Sequence, residues 1–197
     1  MNLSKMDRGQ RINLAKENPG LSKIKIGLSW DVKEGIVADL DAAIVCLTTD
    51  EKISGVLDPK AGIKTGLVYY NNMQFGSIKH HGDNRNGEGE GDDEVITLDL
   101  NDIPCDVESI LTAITIYNEP NADKVVFGRV KNATVRLYND TTNEALYEFD
   151  LTEDASMGTA VEMSRLYKKD GEWRFATLGE VIGQSANGLE DIANKYK

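Results

Sequence analysis

The stretch Lys23-Ile24-Lys25-Ile26-Gly27-Leu28-Ser29-Trp30-Asp31 alternates with a period of two. Ile24, Ile26 and Leu28 leave one side of an extended chain, and Lys23, Lys25 and Gly27 leave the other, as in a strand with one face in a core and one in water. Similar runs, rich in β-branched and aromatic residues, cover residues 36–47, 66–70, 95–100, 111–117, 125–138, 145–151, 161–167 and 173–178. Turn chemistry separates several of them: Asn18-Pro19-Gly20, Asn139-Asp140 and Asp170-Gly171. Many strands and few helices predict a mainly β chain folded as an antiparallel β-sandwich. A C-terminal helix is expected where Leu189, Ile192, Ala193 and Tyr196 fall at i, i+3, i+4 and i+7, with Asn187 and Glu190 as a capping pair. A short peripheral helix is expected after Pro104, where Asp106 and Glu108 suit a first turn.

The chain's 197 residues fit one domain, 1–197, with no internal repeat and no linker long enough to divide it. Its 33 acidic against 22 basic residues leave a formal charge of −11, which opposes binding to nucleic acid or to anionic lipid. No run approaches the roughly 20 apolar residues that a membrane helix needs, so no membrane insertion is expected. The first ten residues carry charges where a signal peptide would be apolar, so the expected location is intracellular. Cys46 and Cys105 lack paired metal-ligand spacing, and Cys46 sits in an apolar run as a small buried hydrophobe would.

One polar stretch interrupts the strands: Gly82-Asp83-Asn84-Arg85-Asn86-Gly87-Glu88-Gly89-Glu90-Gly91-Asp92-Asp93-Glu94. It holds six carboxylates against a single Arg, and Gly87, Gly89 and Gly91 alternate with acids. Such crowding calls for a compensating cation, the alternative being a solvated, flexible loop. Ca²⁺ suits it, taking six to eight oxygen ligands at about 2.3–2.6 Å, including the backbone carbonyls that glycines expose; Mg²⁺ demands a tighter octahedron. Zn²⁺ prefers Cys and His, which the stretch lacks. An EF-hand beginning at Asp83 would put Glu94 correctly at its twelfth position, but Arg85 and Glu88 break its third and sixth. Gly89, Gly91, Asp93 and Val95 match one copy of a calcium-binding β-roll repeat that needs several. A phosphate loop would place Lys where Glu88 stands.

Asp39 and Asp41 flank Leu40, so on a strand both carboxylates leave one face while Leu40 points into the core. Asn71 and Asn72 would add neutral oxygens at a strand end. His80 and His81 point to opposite sides of an extended chain and do not chelate one metal together; one is expected to be partly buried and the other exposed.

Several motifs, in order, resemble the TerD family of tellurium-resistance and general stress proteins: Asn18-Pro19-Gly20-Leu21, Ile26-Gly27-Leu28-Ser29-Trp30-Asp31, Asp39-Leu40-Asp41-Ala42, Tyr70-Asn71-Asn72, Gly82-Asp83-Asn84, Gly91-Asp92-Asp93-Glu94, Phe127-Gly128 with Val130 and Asn132-Ala133, and Leu151-Thr152-Glu153-Asp154-Ala155. The likeness runs from about Gly9 to the end. It implies a β-sandwich with calcium sites, no established catalytic activity, a cytoplasmic location, and a role in resistance to tellurite, other stresses and phage. Assembly with other Ter-type proteins, including a membrane-embedded partner, is also implied. By position it marks Asp39, Asp41, Asp83, Asn84, Asp92, Asp93 and Glu94 as cation-site candidates, with Asp31, Asn71 and Asn72 beside them; Gly87 and Gly89 belong to the same loop. Asn86 and Glu90 stand where the family usually has Thr and Asp, and Ser29 replaces a common Gly. Both loop substitutes carry oxygen, so the resemblance still implies calcium binding.

Three classes of function follow as expectations. The first is a calcium-binding stress protein whose ion stiffens the loop, joins it to Asp39 and Asp41, and creates a surface for partners. The second is a calcium-dependent, lectin-like binder. The third is a hydrolase using paired carboxylates, disfavoured because acids crowded around a cation are ionised acceptors and not proton donors. Tellurite, an oxyanion, is a poor direct ligand for an anionic loop.

Overall fold

The computed structural model describes residues 3–32, 39–84, 91–118, 124–150, 158–183 and 185–197. Its strands are β1 (Ser4–Lys5), β2 (Arg11–Ile12), β3 (Lys23–Val32), β4 (Asp39–Leu47), β5 (Leu57–Asp58), β6 (Ile63–Lys64), β7 (Leu67–Val68), β8 (Gln74–Phe75), β9 (Ile78–His80), β10 (Glu94–Asp99), β11 (Ser109–Tyr117), β12 (Val130–Asn139), β13 (Glu144–Asp150), β14 (Ala160–Lys169) and β15 (Glu172–Gly183). Two helices accompany them, α1 (Leu14–Glu17) and α2 (Gly188–Lys195). One sheet runs β1-β13-β12-β3-β10-β9-β8, the second runs β2-β15-β14-β11-β4-β7, and β5 pairs with β6 as a hairpin. Pairing is antiparallel throughout the described strands except between β1 and β13.

The alternation in β3 places the first sheet on the second. Ile24, Ile26 and Leu28 sit opposite Leu98, Ile96 and Glu94 of β10, and all six side chains turn inward. They meet Leu40, Ala42, Ile44 and Cys46 of β4 with Ile110, Ile114 and Ile116 of β11 in one apolar core. β4 then explains why residues 42–47 read as a continuous apolar run. Its odd residues, Ala43, Val45 and Leu47, face away from that core into a second cluster roofed by Leu189, Ile192, Ala193 and Tyr196 of α2. A strand buried on both faces has no wet side on which polar residues could alternate.

The C-terminal helix starts at Asn187, whose side chain accepts from Leu189 N (3.1 Å). Its far end is tied to β14, where Lys195 Nζ (2.6 Å) and Tyr196 Oη (2.7 Å) both donate to Glu162 Oε1, and Glu162 is buried. Burial first, then the Glu162 carboxylate, push the Tyr196 phenol up.

Two sequence expectations change. The segment after Pro104 makes one turn closed by Val107 N on Pro104 O (3.0 Å), and not a helix: Asp106 accepts from Ser54 Oγ (2.6 Å), while Glu108 N is drawn to Leu47 O (2.9 Å). The peripheral helix is instead α1, capped by Asn13 Oδ1 accepting from Lys16 N. The run 125–138 is broken by a 3-10 turn over Phe127–Arg129, which buries Phe127 before the strand begins at Val130. Cys46 is buried, as its apolar context predicts, and Cys105 is exposed.

The Glu162 latch yields a stability prediction. Tyr196→Phe removes a donor from a buried carboxylate, which costs about 1–3 kcal/mol of unfolding free energy. Urea denaturation checks it, with Tyr167→Phe on the same fold as the comparison.

Candidate metal centre

β4 starts at Asp39, and its register on β11 places Tyr117 opposite Asp39 and Thr115 opposite Asp41. Both carboxylates leave the face that carries Ala43 and Val45, as the spacing predicts. Asp41 is buried and Asp39 half-buried. Asp83, exposed, arrives from the segment that follows β9 in the other sheet. One carboxylate oxygen from each of Asp39, Asp41 and Asp83 lies within 4.8 Å of the others.

That spacing suits a single hard cation. Oxygens held about 2.3–2.6 Å from a calcium ion can be at most about 5 Å apart, and all three donors are carboxylates, the chemistry of calcium and not of zinc. Tyr70 senses the cluster: burial first, then Asp41, with Tyr69, Tyr117 and Asp83 behind it, push its phenol up.

The other candidates make contacts of their own. Asp93 clamps the loop to β3, with Oδ2 accepting from Trp30 N (2.9 Å), Oδ1 from Asn84 Nδ2 (3.1 Å), and its own amide donating to Leu28 O (2.7 Å). Burial raises the Asp93 carboxyl, the Trp30 amide opposes that rise, and the charges of Asp31 and Asp92 add to it. Glu94 is buried, with Oε2 accepting from Ala42 N (2.5 Å) and Oε1 from Asn84 N (3.3 Å). Asn84 therefore sits beside the three carboxylates, held through Asp93 and Glu94.

Asp92 turns to the outer face of the first sheet. Its Oδ1 accepts from Tyr138 Oη (3.1 Å) and Arg136 Nη1 (3.3 Å), and its carboxylate lies over Gly27, where a Cβ would fall 2.2 Å from Asp92 Cγ. Arg136 also binds Glu148 (2.8 Å) and Ser29 (3.1 Å). Tyr138 is pushed up to about 12, by burial and then by Asp92. Asp92 is thus neutralised locally, by partners that the sequence reading missed; only the register of β3 on β12, Gly27 opposite Arg136, brings them together.

Asn72 is committed to the backbone, with Nδ2 donating to Thr65 O (2.9 Å) and Leu67 O (2.6 Å). Asn71 is exposed and lines an open cleft of about 480 Å³ with Asp58, Lys60, Thr65 and Tyr69. Gly87 and Gly89 lie outside the described residues, as do Asn86, Glu90 and residues 151–155. Of the histidines, His80 is buried and His81 exposed, as expected, with His81 Nε2 2.8 Å from Thr97 Oγ1.

Comparison with known proteins agrees with the sequence motifs. The tellurium resistance protein TerD of Serratia marcescens is 35% identical over 195 residues, covering 97% of this chain and 95% of that protein. General stress protein 16U of Bacillus subtilis (strain 168) is 38% identical over 194 residues, covering 96% and 94%. In three dimensions, a crystal structure of a homologue of telluride resistance protein (TerD) from Streptomyces coelicolor A3(2) superposes with a TM-score of 0.66 at 17% identity, over 90% of this chain and 99% of that one, which shows the shared fold. Residues 1–196 match the TerD domain, and this chain belongs to the TerD family.

Proposed function

We propose that this chain is a calcium-binding stress-response protein of the tellurium-resistance type, acting as a metal-stabilised interaction module and not as a catalyst. The observation that carries the reading is the convergence of Asp39, Asp41 and Asp83, from two sheets, to within 4.8 Å of one another. Three like charges so close repel one another, and a cation among them would relieve that repulsion. Bound there, a calcium ion would supply that positive charge. Asp41 presents its oxygen from a buried strand, Asp39 from the strand's beginning, and Asp83 from the loop, so the residues would fasten the loop to β4. The fastened surface is where other Ter-type proteins, a membrane-embedded one among them, would dock from the cytoplasm. No helix among the described residues is long and apolar enough to cross a membrane.

Calcium at 100 times its Kd should add about 2.7 kcal/mol of stability, and for a domain of this size that corresponds to a rise in Tm of about 5–10 °C. Differential scanning calorimetry with Ca²⁺ and then with chelator measures it, and Asp41→Asn should abolish the rise. No shift, together with no heat on isothermal titration, sinks the proposal. A glycan screen with and without Ca²⁺ separates a lectin-like reading, and hydrolase substrates left uncleaved in Ca²⁺ would count against the catalytic one.

Tyr70 supplies a second check. Its phenol is raised partly by the charges of Asp41 and Asp83, so the protonated form is favoured below its folded pKa and that stabilisation is lost as pH rises through it. Calcium offsets those charges, so the Tyr70 pKa should fall when calcium binds. Ultraviolet difference titration should show one tyrosine shifting downward, and Tyr70→Phe should remove that component.

A further inference from the structure

Beneath the three carboxylates lies a buried pair, three of whose four polar side-chain atoms accept from the backbone around them. His80 and Glu94 side chains have no solvent exposure. Glu94 uses its two oxygens on two amides: Ala42 N, the residue after Asp41, at 2.5 Å, and Asn84 N, the residue after Asp83, at 3.3 Å. On the other side of Asp83, Gly82 N donates to His80 Nδ1 at 3.2 Å. An Nδ1 that accepts carries no proton, so a neutral His80 ring bears its proton on Nε2. That Nε2 has no hydrogen-bond partner and faces Glu94 Oε2 at 3.6 Å. A buried N–H aimed at a buried carboxylate is otherwise hard to account for, since an unsatisfied donor of this kind is costly.

The direction of approach separates Glu94 from the three carboxylates. Glu94 begins β10 on the inward face that carries Ile96 and Leu98, and it meets the edge of β4 from the core side. Asp39 and Asp41 leave the opposite, outer face of β4. The Ala42 amide lies on the edge where β7 pairs only as far as Ile44 and Val45, so Glu94 continues the row of acceptors that β7 begins.

We infer that Glu94 and His80 are positioning residues of the cation site: they set the separation of Asp41 and Asp83 through the adjoining amides, and Glu94 is not itself a ligand. This rests on the calcium reading above. Two N–H donors need two acceptors, which a carboxylate offers and an amide does not, so Glu94→Gln leaves one amide facing an NH₂ group.

Tb³⁺, a luminescent stand-in for Ca²⁺ that Tyr70 is placed to sensitise, supplies the test on the full chain. Its emission titration gives affinity, and its lifetimes in H₂O and D₂O count the waters on the bound ion. Glu94→Gln should weaken Tb³⁺ binding about 10–100-fold, the range for outer-shell partners of metal ligands, with the water count unchanged. Asp83→Ala should weaken binding and add water to the ion. A raised water count in Glu94→Gln makes Glu94 a ligand and overturns the assignment, as does unchanged affinity. If Glu94→Gln fails to fold, His80 carries the test. His80→Leu should lose about 10-fold in affinity, and His80→Asn, whose Oδ1 can replace Nδ1 as the acceptor for Gly82, should recover most of it. A His80→Leu chain that binds like the wild type overturns the assignment. A wild-type chain that binds neither Tb³⁺ nor Ca²⁺ instead removes the calcium reading, and this inference with it.

Discussion

β4 has apolar contacts on both faces, and the rest of the molecule is arranged around that constraint. From Leu40 to Leu47 no residue is more than 3% exposed, so the strand needs a sheet on one side and a roof on the other. The first sheet supplies one and α2 the other. The roof is held at its far end by Lys195 and Tyr196 on the buried Glu162, and its first turn is linked to β11 by the bridge between Tyr117 and Asn187. Tyr117 is also the cross-strand neighbour of Asp39. The carboxylate pair therefore stands where the doubly covered part of β4 begins, held by a strand that has almost no freedom to move.

The charge of −11 looks uniform in composition but is handled in three different ways. Asp92 is neutralised by Arg136 and Tyr138, and Glu162 by Lys195 with a phenol. Asp93 and Glu94 are satisfied largely by backbone amides, which bring partial positive charge without a counter-ion. Asp39, Asp41 and Asp83 face one another. Neighbouring acids in the sequence thus have different chemistry, and position along the chain does not reveal which is which.

Much of the fold was legible because long strands repeat their signal. The alternation of Ile24, Ile26 and Leu28 and the spacing of Leu189, Ile192, Ala193 and Tyr196 correspond to the faces that are buried. Two-residue strands such as β1, β2 and β8 are too short to show a period, and each adds to the edge of a longer sheet. At the site, the shared face of Asp39 and Asp41 followed from strand geometry alone. The different fate of Asp92 did not, because it depends on Arg136, 44 residues later, and on the space that Gly27 leaves. Glu94 carries a readable signal: it alternates with Ile96 and Leu98, and Ile78 with His80, so both polar side chains belong to inward faces.

The framework beneath the three carboxylates also bears on what a cation could do here. In small metal-folded domains the ligands meet only when the ion arrives, and binding free energy is folding free energy. Here the main core joins both sheets through residues that do not depend on the carboxylates, such as Ile26, Ile44, Ile96 and Ile114. The backbone on either side of Asp83 and after Asp41 is already held by His80 and Glu94. If these carboxylates hold an ion, such preorganisation would raise affinity by avoiding the ordering of the ligands. On the calcium reading the consequence of binding would be local: the ion would link Asp83 to the start of β4 while the sandwich stays as it was. A change confined to the loop on an unchanging scaffold would suit an interaction that responds to a cation, because the ion's differential affinity would be applied to the loop and not diluted into refolding the core.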